Sequence, residues 1–141
     1  MNIQNLVREN IKNLTPYSSA RDEFSADAGV FLDANENPFG DYNRYPDPYQ
    51  KALKTEISKL KNIEANKIFL GNGSDEVIDL LMRILKKKKK DKILVFNPTY
   101  GMYEVSANIN DVEVVSYPLN QDFQIEFSDE LEQILKDENL K

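Results

Sequence analysis

The stretch Gly71-Asn72-Gly73-Ser74-Asp75-Glu76 constrains the fold most. It stands between a short apolar run, Ile68-Phe69-Leu70, and a segment in which Val77, Ile78, Leu81, Ile84 and Leu85 recur at helical spacing. A strand is expected to stop there and a helix to begin near Ser74. In open α/β sheets, ligands sit outside the carboxyl ends of strands, where such turns lie. The first N–H groups of a helix lack intrahelical partners and carry the positive end of the helix dipole, so an anion can bind them. Gly71 and Gly73 let the backbone turn tightly and approach a ligand, and Ser74 can cap the helix or offer its hydroxyl. Two features weigh against this. Glu76 stands where the dinucleotide fingerprint requires its third glycine, and Asp75 and Glu76 stabilise a helix start but repel a phosphate. An ordinary capped turn stands beside the anion site as an alternative.

With 141 residues, 40% of them hydrophobic and 30% charged, the chain has enough apolar content for one globular domain. The net charge of −6 argues against a nucleic-acid binder. The sequence holds neither cysteine nor histidine, which excludes disulfide frameworks, Cys/His zinc sites, thiol nucleophiles and imidazole-based triads. No other metal-ligand spacing is apparent. No apolar run is long enough to span a bilayer and no secretory signal is visible, so a cytoplasmic location is expected by default.

Ile3, Leu6, Val7, Ile11 and Leu14 form one helical stripe that Pro16 ends. Tyr17 and Arg21 follow in a polar connector. Val30-Phe31-Leu32 is a short extended run entering the turn-rich segment Asp33-Ala34-Asn35-Glu36-Asn37-Pro38-Phe39-Gly40, and Asn43-Arg44-Tyr45-Pro46-Asp47-Pro48 continues it. So long a loop is expected to be ordered and functional. Asp47 is placed to cap a helix with Pro48 at its first position and Tyr49, Ala52, Leu53, Ile57 and Leu60 on its apolar face. The run Lys86 to Lys90 reads as a solvated helix end whose cations complement the dipole.

Ile93-Leu94-Val95-Phe96 has the length and continuity of a strand covered on both faces. Asn97-Pro98-Thr99-Tyr100-Gly101-Met102-Tyr103 leads from its carboxyl end into a short helix, which places Tyr100 at the same rim as Ser74. Val112 to Tyr117 is a third strand, Phe123-Gln124-Ile125 a minor extended piece, and Ser128 the cap of a last helix bearing Leu131, Ile134 and Leu135. The alternation predicts an α/β fold: a partial, parallel or mostly parallel sheet flanked by helices. Three strands with a terminal helix read as an incomplete domain.

Five blocks in order, Leu14-Thr15-Pro16-Tyr17, Leu32 to Pro38, Arg44 to Pro48, Gly71 to Glu76 and Pro98 to Tyr103, show that the chain resembles the N-terminal part of the histidinol-phosphate aminotransferase family. These are fold-type-I pyridoxal-phosphate enzymes. The resemblance implies an N-terminal arm and substrate or dimer loop over residues 1–45 and an incomplete cofactor-binding large domain over 46–141. It implies that Ser74 and Asp75 hold the phosphate of pyridoxal 5′-phosphate through main-chain N–H groups and that Tyr100 lies against the pyridine ring. Tyr45 would reach the cofactor phosphate of a neighbouring subunit in a homodimer, and Tyr17, Asn35 and Glu36 would line the substrate pocket. The implied reaction moves an amino group between histidinol phosphate and 2-oxoglutarate in histidine synthesis. A related aminotransferase or an amino-acid phosphate decarboxylase of the same fold is the alternative within the class.

No lysine of this chain matches the family's cofactor-linking lysine, the Lys86 to Lys90 run included, so no catalytic residue is assigned. These 141 residues alone are expected to bind the cofactor weakly and not to turn over. A catalytically inactive binding module is the reading from another class.

Overall fold

A computed structural model describes residues 2–19, 23–24, 30, 32–42 and 44–141. In chain order the described elements are α1 (Glu9–Lys12), α2 (Lys51–Lys61), α3 (Gly73–Leu85), β1 (Lys92–Asn97), α4 (Met102–Ile109), β2 (Glu113–Pro118) and α5 (Asp129–Leu135). The chain forms two compact units, one of Met1–Leu14 with Gly71–Lys141 and one of Thr15–Leu70. This is the expected α/β class, with a small parallel sheet flanked by helices.

The first unit is organised on β1 and β2. They pair in parallel, with Lys92 opposite Glu113 and Asn97 opposite Pro118, and α4 forms the crossover that parallel neighbours require. Val95 and Tyr117 from the strands, Ile78 from α3, Ala107 from α4, and Val112 and Leu131 are buried. The Phe96 and Tyr117 rings meet edge to face at 6.2 Å. Tyr117 also donates its hydroxyl to the Glu126 carbonyl at 2.9 Å and lies 2.8 Å from Ser128 Oγ. Ser128 caps α5 as its sequence position predicts, accepting the Leu131 N–H at 3.2 Å.

Several expectations are corrected. The run Ile68-Phe69-Leu70 pairs with no strand among the described residues, so the ladder has two strands and not three. Ile68 is extended, but Ala65–Lys67 before it is wound into a 3-10 turn, and an extended run without a neighbouring strand makes no ladder bonds. The N-terminal stripe is not one helix. It is a 3-10 turn, Ile3–Asn5, followed by the four residues of α1. Arg8 breaks it, because its N–H donates to the Ile84 carbonyl and its guanidinium to the Arg83 carbonyl, both at 3.0 Å. These bonds satisfy open carbonyls at the end of α3 and leave Arg8 extended.

Phe123 is no strand residue. It has φ +56° in a turn where Asn120 Oδ1 accepts the N–H groups of Asp122 and Gln124. Finally, the chain does not end in a helix. After α5, Leu140 forms a parallel bridge with Lys92, in which the Lys92 N–H donates to the Asn139 carbonyl and the Lys141 N–H to the Lys92 carbonyl.

The lysine run is only partly solvated. Lys86 is half-buried and donates to the Asn110 carbonyl at 2.6 Å and to Asp111 at 3.0 Å, while Lys87 to Lys90 are exposed. The turn they form closes on Asp91, which is fully buried.

In the second unit, Asp47 accepts the N–H groups of Tyr49 at 2.9 Å and Lys51 at 2.8 Å, but it is not the N-cap expected of it and Pro48 is not the first helical residue. Helix α2 begins at Lys51, after a left-handed Gln50. Its apolar residues Leu53 and Leu60 are exposed. Val30 and Leu32 lie in no strand; Phe31 between them, like Arg21 and Asn43, lies outside the described residues.

Candidate functional site

Helix α3 starts from a turn whose positive φ, +81°, falls on Gly73. That is the left-handed region in which a glycine escapes the Cβ penalty. Asn72, the N-cap residue, gives no side-chain cap. The N–H groups of Ser74 and Asp75 donate to no acceptor among the described residues, and both residues are exposed. Two unpartnered donors at the positive end of a thirteen-residue helix make an anion-binding surface.

The two first-turn carboxylates are both engaged. Glu76 reaches back to accept the N–H of Asn72, the N-cap residue. Asp75 Oδ1 accepts the Tyr100 hydroxyl at 3.0 Å. This bond, then burial and the Asp75 charge, hold the Tyr100 phenol above its ordinary range. Tyr100 follows the carboxyl end of β1, past the cis Asn97-Pro98 bond, with its ring half-exposed and edge-on to Tyr103 at 6.3 Å. The structure thus brings together three of the predicted residues, Ser74, Asp75 and Tyr100. Their arrangement offers main-chain donors for an anion beside an accessible aromatic face.

The second unit holds the other four. Tyr17 is 87% exposed and Tyr45 62% exposed, and Asn35 is exposed as well. Glu36 differs: its side chain is 7% exposed, with Oε2 2.9 Å from Arg44 Nη1 and Oε1 accepting the Tyr45 N–H at 3.0 Å. Glu36 and Tyr45 are therefore joined.

Sequence reasoning missed three features. The Asp75 to Tyr100 bond spans 25 residues, and no local pattern announces it. The Glu36 to Arg44 pair joins two turn-rich blocks eight residues apart, where opposite charges in neighbouring loops were the available signal. Asp91, just after the lysine run, carries no local signal, and it is fully buried. Cavities also lie elsewhere among the described residues. One of about 60 Å³ is lined by Leu81, Leu85, Asp91 and Val112, and a polar one of about 310 Å³ by Arg8, Glu9, Asn10 and Lys87. Among the described residues no cluster of acidic side chains could hold a metal ion, and no helix is long and apolar enough to cross a membrane.

Comparison with known proteins matches residues 18–141 to a family model described as aminotransferase class I and II. The chain is 56% identical over 129 residues to the histidinol-phosphate aminotransferase of Cytophaga hutchinsonii, covering 88% of this chain and 37% of that protein. With the protein of the same name from Flavobacterium johnsoniae it is 51% identical over 143 residues, covering 99% of this chain and 40% of the other. The chain therefore spans about two fifths of the length of these relatives. Among solved structures, L-threonine-O-3-phosphate decarboxylase from Porphyromonas gingivalis superposes with a TM-score of 0.50 at 24% identity, over 60% of this chain and 26% of that one. That likeness is one of fold.

Proposed function

Because the chain belongs to the aminotransferase class I and II family, we propose that its first unit supplies the phosphate-holding turn and the ring-stacking tyrosine of a pyridoxal 5′-phosphate-dependent aminotransferase. The reaction is transfer of the amino group between histidinol phosphate and 2-oxoglutarate in histidine synthesis. The observation that carries this reading is the joining of Tyr100 to Asp75 beside the two unpartnered N–H groups at the start of α3.

The residues present fit the cofactor on chemical grounds. A phosphate monoester needs several directed donors, and Ser74 and Asp75 provide main-chain N–H groups at a helix N-terminus with the Ser74 hydroxyl adjacent. Gly73 sets the turn that points these donors outward. A flat heteroaromatic ring needs an apolar face, and Tyr100 presents one, held by its hydroxyl so that the ring does not swing. Bound there, pyridoxal phosphate supplies the electron sink that amino-group chemistry requires. The protein's contribution at this end is binding and orientation.

Residues 1–45 act on this reading as arm and loop, and 46–141 as the cofactor-binding portion. Tyr17, Asn35 and Glu36 belong to the substrate side. Tyr45 reaches the cofactor phosphate of a second copy, which makes the enzyme a homodimer; it works in the cytoplasm. The similarity to two histidinol-phosphate aminotransferases at 51–56% identity supports this substrate.

The test is to express the whole gene product, titrate it with pyridoxal phosphate and assay amination of imidazole acetol phosphate. The expected result is visible cofactor absorbance and turnover. Absence of both overturns the proposal, and cofactor absorbance with activity only on another amino acid moves the assignment to a related enzyme of the same fold.

A further inference from the structure

Glu36 is a carboxylate almost removed from solvent. Its side chain is 7% exposed, whereas the Arg44 side chain that meets it is 62% exposed. Burying a carboxylate is unfavourable unless hydrogen bonds replace its water. Here one oxygen takes a charge-assisted bond from Arg44 Nη1 at 2.9 Å and the other takes the Tyr45 main-chain N–H at 3.0 Å. The two donors are consecutive residues in a stretch that belongs to no helix or strand. One side chain thus fixes both the position of Arg44 and the backbone of Tyr45. The Tyr45 ring, 62% exposed, is left outside this clamp.

We infer that Glu36 is a positioning residue: its carboxylate locks the backbone at Arg44 and Tyr45 so that the Tyr45 phenol is presented to an organic phosphate, that of the cofactor. The inference rests on the reading of Tyr45 given above and extends it to the residue that aims the tyrosine. With each oxygen already bonded inside its own loop, the carboxylate acts on the cofactor through Tyr45. A long loop is conformationally costly to order, and a fixed brace lowers the part of that cost which binding must otherwise meet.

The experiment uses the whole gene product with Glu36→Ala, Glu36→Gln, Tyr45→Phe and the Glu36→Ala/Tyr45→Phe double variant. Hydrogen exchange at the Tyr45 amide, measured without cofactor, is expected to quicken in Glu36→Ala. In Glu36→Gln, which keeps one acceptor oxygen, it is expected to quicken less. Spectroscopic titration with pyridoxal phosphate is expected to show Kd raised about tenfold by Glu36→Ala, the scale of one hydrogen bond to a charged group. The double variant is expected to bind no worse than the weaker single variant, because residues acting through one another are not additive. Unchanged exchange at Tyr45, or losses in Kd that multiply in the double variant, overturns the positioning role. An unchanged Kd in Tyr45→Phe overturns instead the placing of Tyr45 on the phosphate, and the inference falls with it.

Discussion

The Tyr100 hydroxyl donates to Asp75 Oδ1 at 3.0 Å, tying the carboxyl end of β1 to the first turn of α3. The bond exists only while the phenol keeps its proton, so it raises the folded-state pKa. A raised pKa means that the contribution is complete below the ordinary tyrosine value of 10.0 and is lost as pH rises through the raised value. Asp75→Asn removes the charge, and Tyr100 is then expected to titrate lower. Because the chain has seven tyrosines, the signal is isolated as the ultraviolet difference between each protein and its Tyr100→Phe counterpart. An identical Tyr100 titration in both backgrounds would contradict the link.

Gly73 tests the turn itself. A Cβ built there meets nothing within 4 Å, yet φ is +81°. The cost of Gly73→Ala therefore lies in the backbone conformation alone, about 1–2 kcal/mol. Urea denaturation is expected to show that loss, accompanied by weaker binding of pyridoxal phosphate. Full retention of stability would mean that the turn does not need its left-handed residue.

Asp91 is expected to be an acid-sensitive anchor of the first unit. Its Oδ2 accepts the N–H groups of Lys87 at 2.6 Å and Lys88 at 2.9 Å, and Oδ1, which no hydrogen bond meets, lies 3.4 Å from Lys141 Nζ. Burial works against ionisation, but the N–H groups of Lys88 and Lys87 and the Lys141 charge outweigh it, holding the carboxyl below 3.8. With a depressed pKa, the stabilisation is present above the ordinary aspartate range and disappears as pH falls through the lowered value. Asp91→Ala leaves two N–H groups without their acceptor and is expected to cost about 1–3 kcal/mol at neutral pH. Denaturant melts at neutral and acidic pH measure both effects, and a variant whose loss stays the same in strong acid would refute the assignment.

Tyr117→Phe serves as the contrast. It removes a buried hydroxyl bonded to the Glu126 carbonyl and Ser128 Oγ, which is expected to cost about 0.5–1.5 kcal/mol. The residue lies in the packing under β2, so cofactor affinity is expected to stay at the native value. A large drop in affinity would show that the core and the α3 turn are coupled.

The fold class was legible because its signals are local. A continuous apolar run marked β1, the β-branched stretch from Val112 to Tyr117 marked β2, helical periodicity marked α3, and Ser128 marked the start of α5. What was not legible depends on distant partners. The break at Arg8 follows from carbonyls 75 and 76 residues away, and Ile68 to Leu70 had the composition of a strand but pairs with none among the described residues. Composition likewise hid the turn at Phe123, since Asn120 and not the apolar residues decides it. For the candidate site, the glycine turn announced α3, the strand end before Asn97 put Tyr100 at the same rim, and the resemblance gave the tyrosine its role. The engagement of Asp75 and Glu76, which relieves the objection that two acids would simply oppose an anion, needed coordinates.

The parallel bridge between Lys92 and Leu140 uses the Lys92 N–H and carbonyl, which point away from β2. The chain thus leaves β1 on one flank to make β2 and comes back to its opposite flank. β1 becomes the pivot where the winding direction reverses, and in layered sheets of this kind a crevice opens above the carboxyl end of such a pivot. Tyr100 stands three residues past that end, so its placement follows from the path of the main chain as well as from its own side chain.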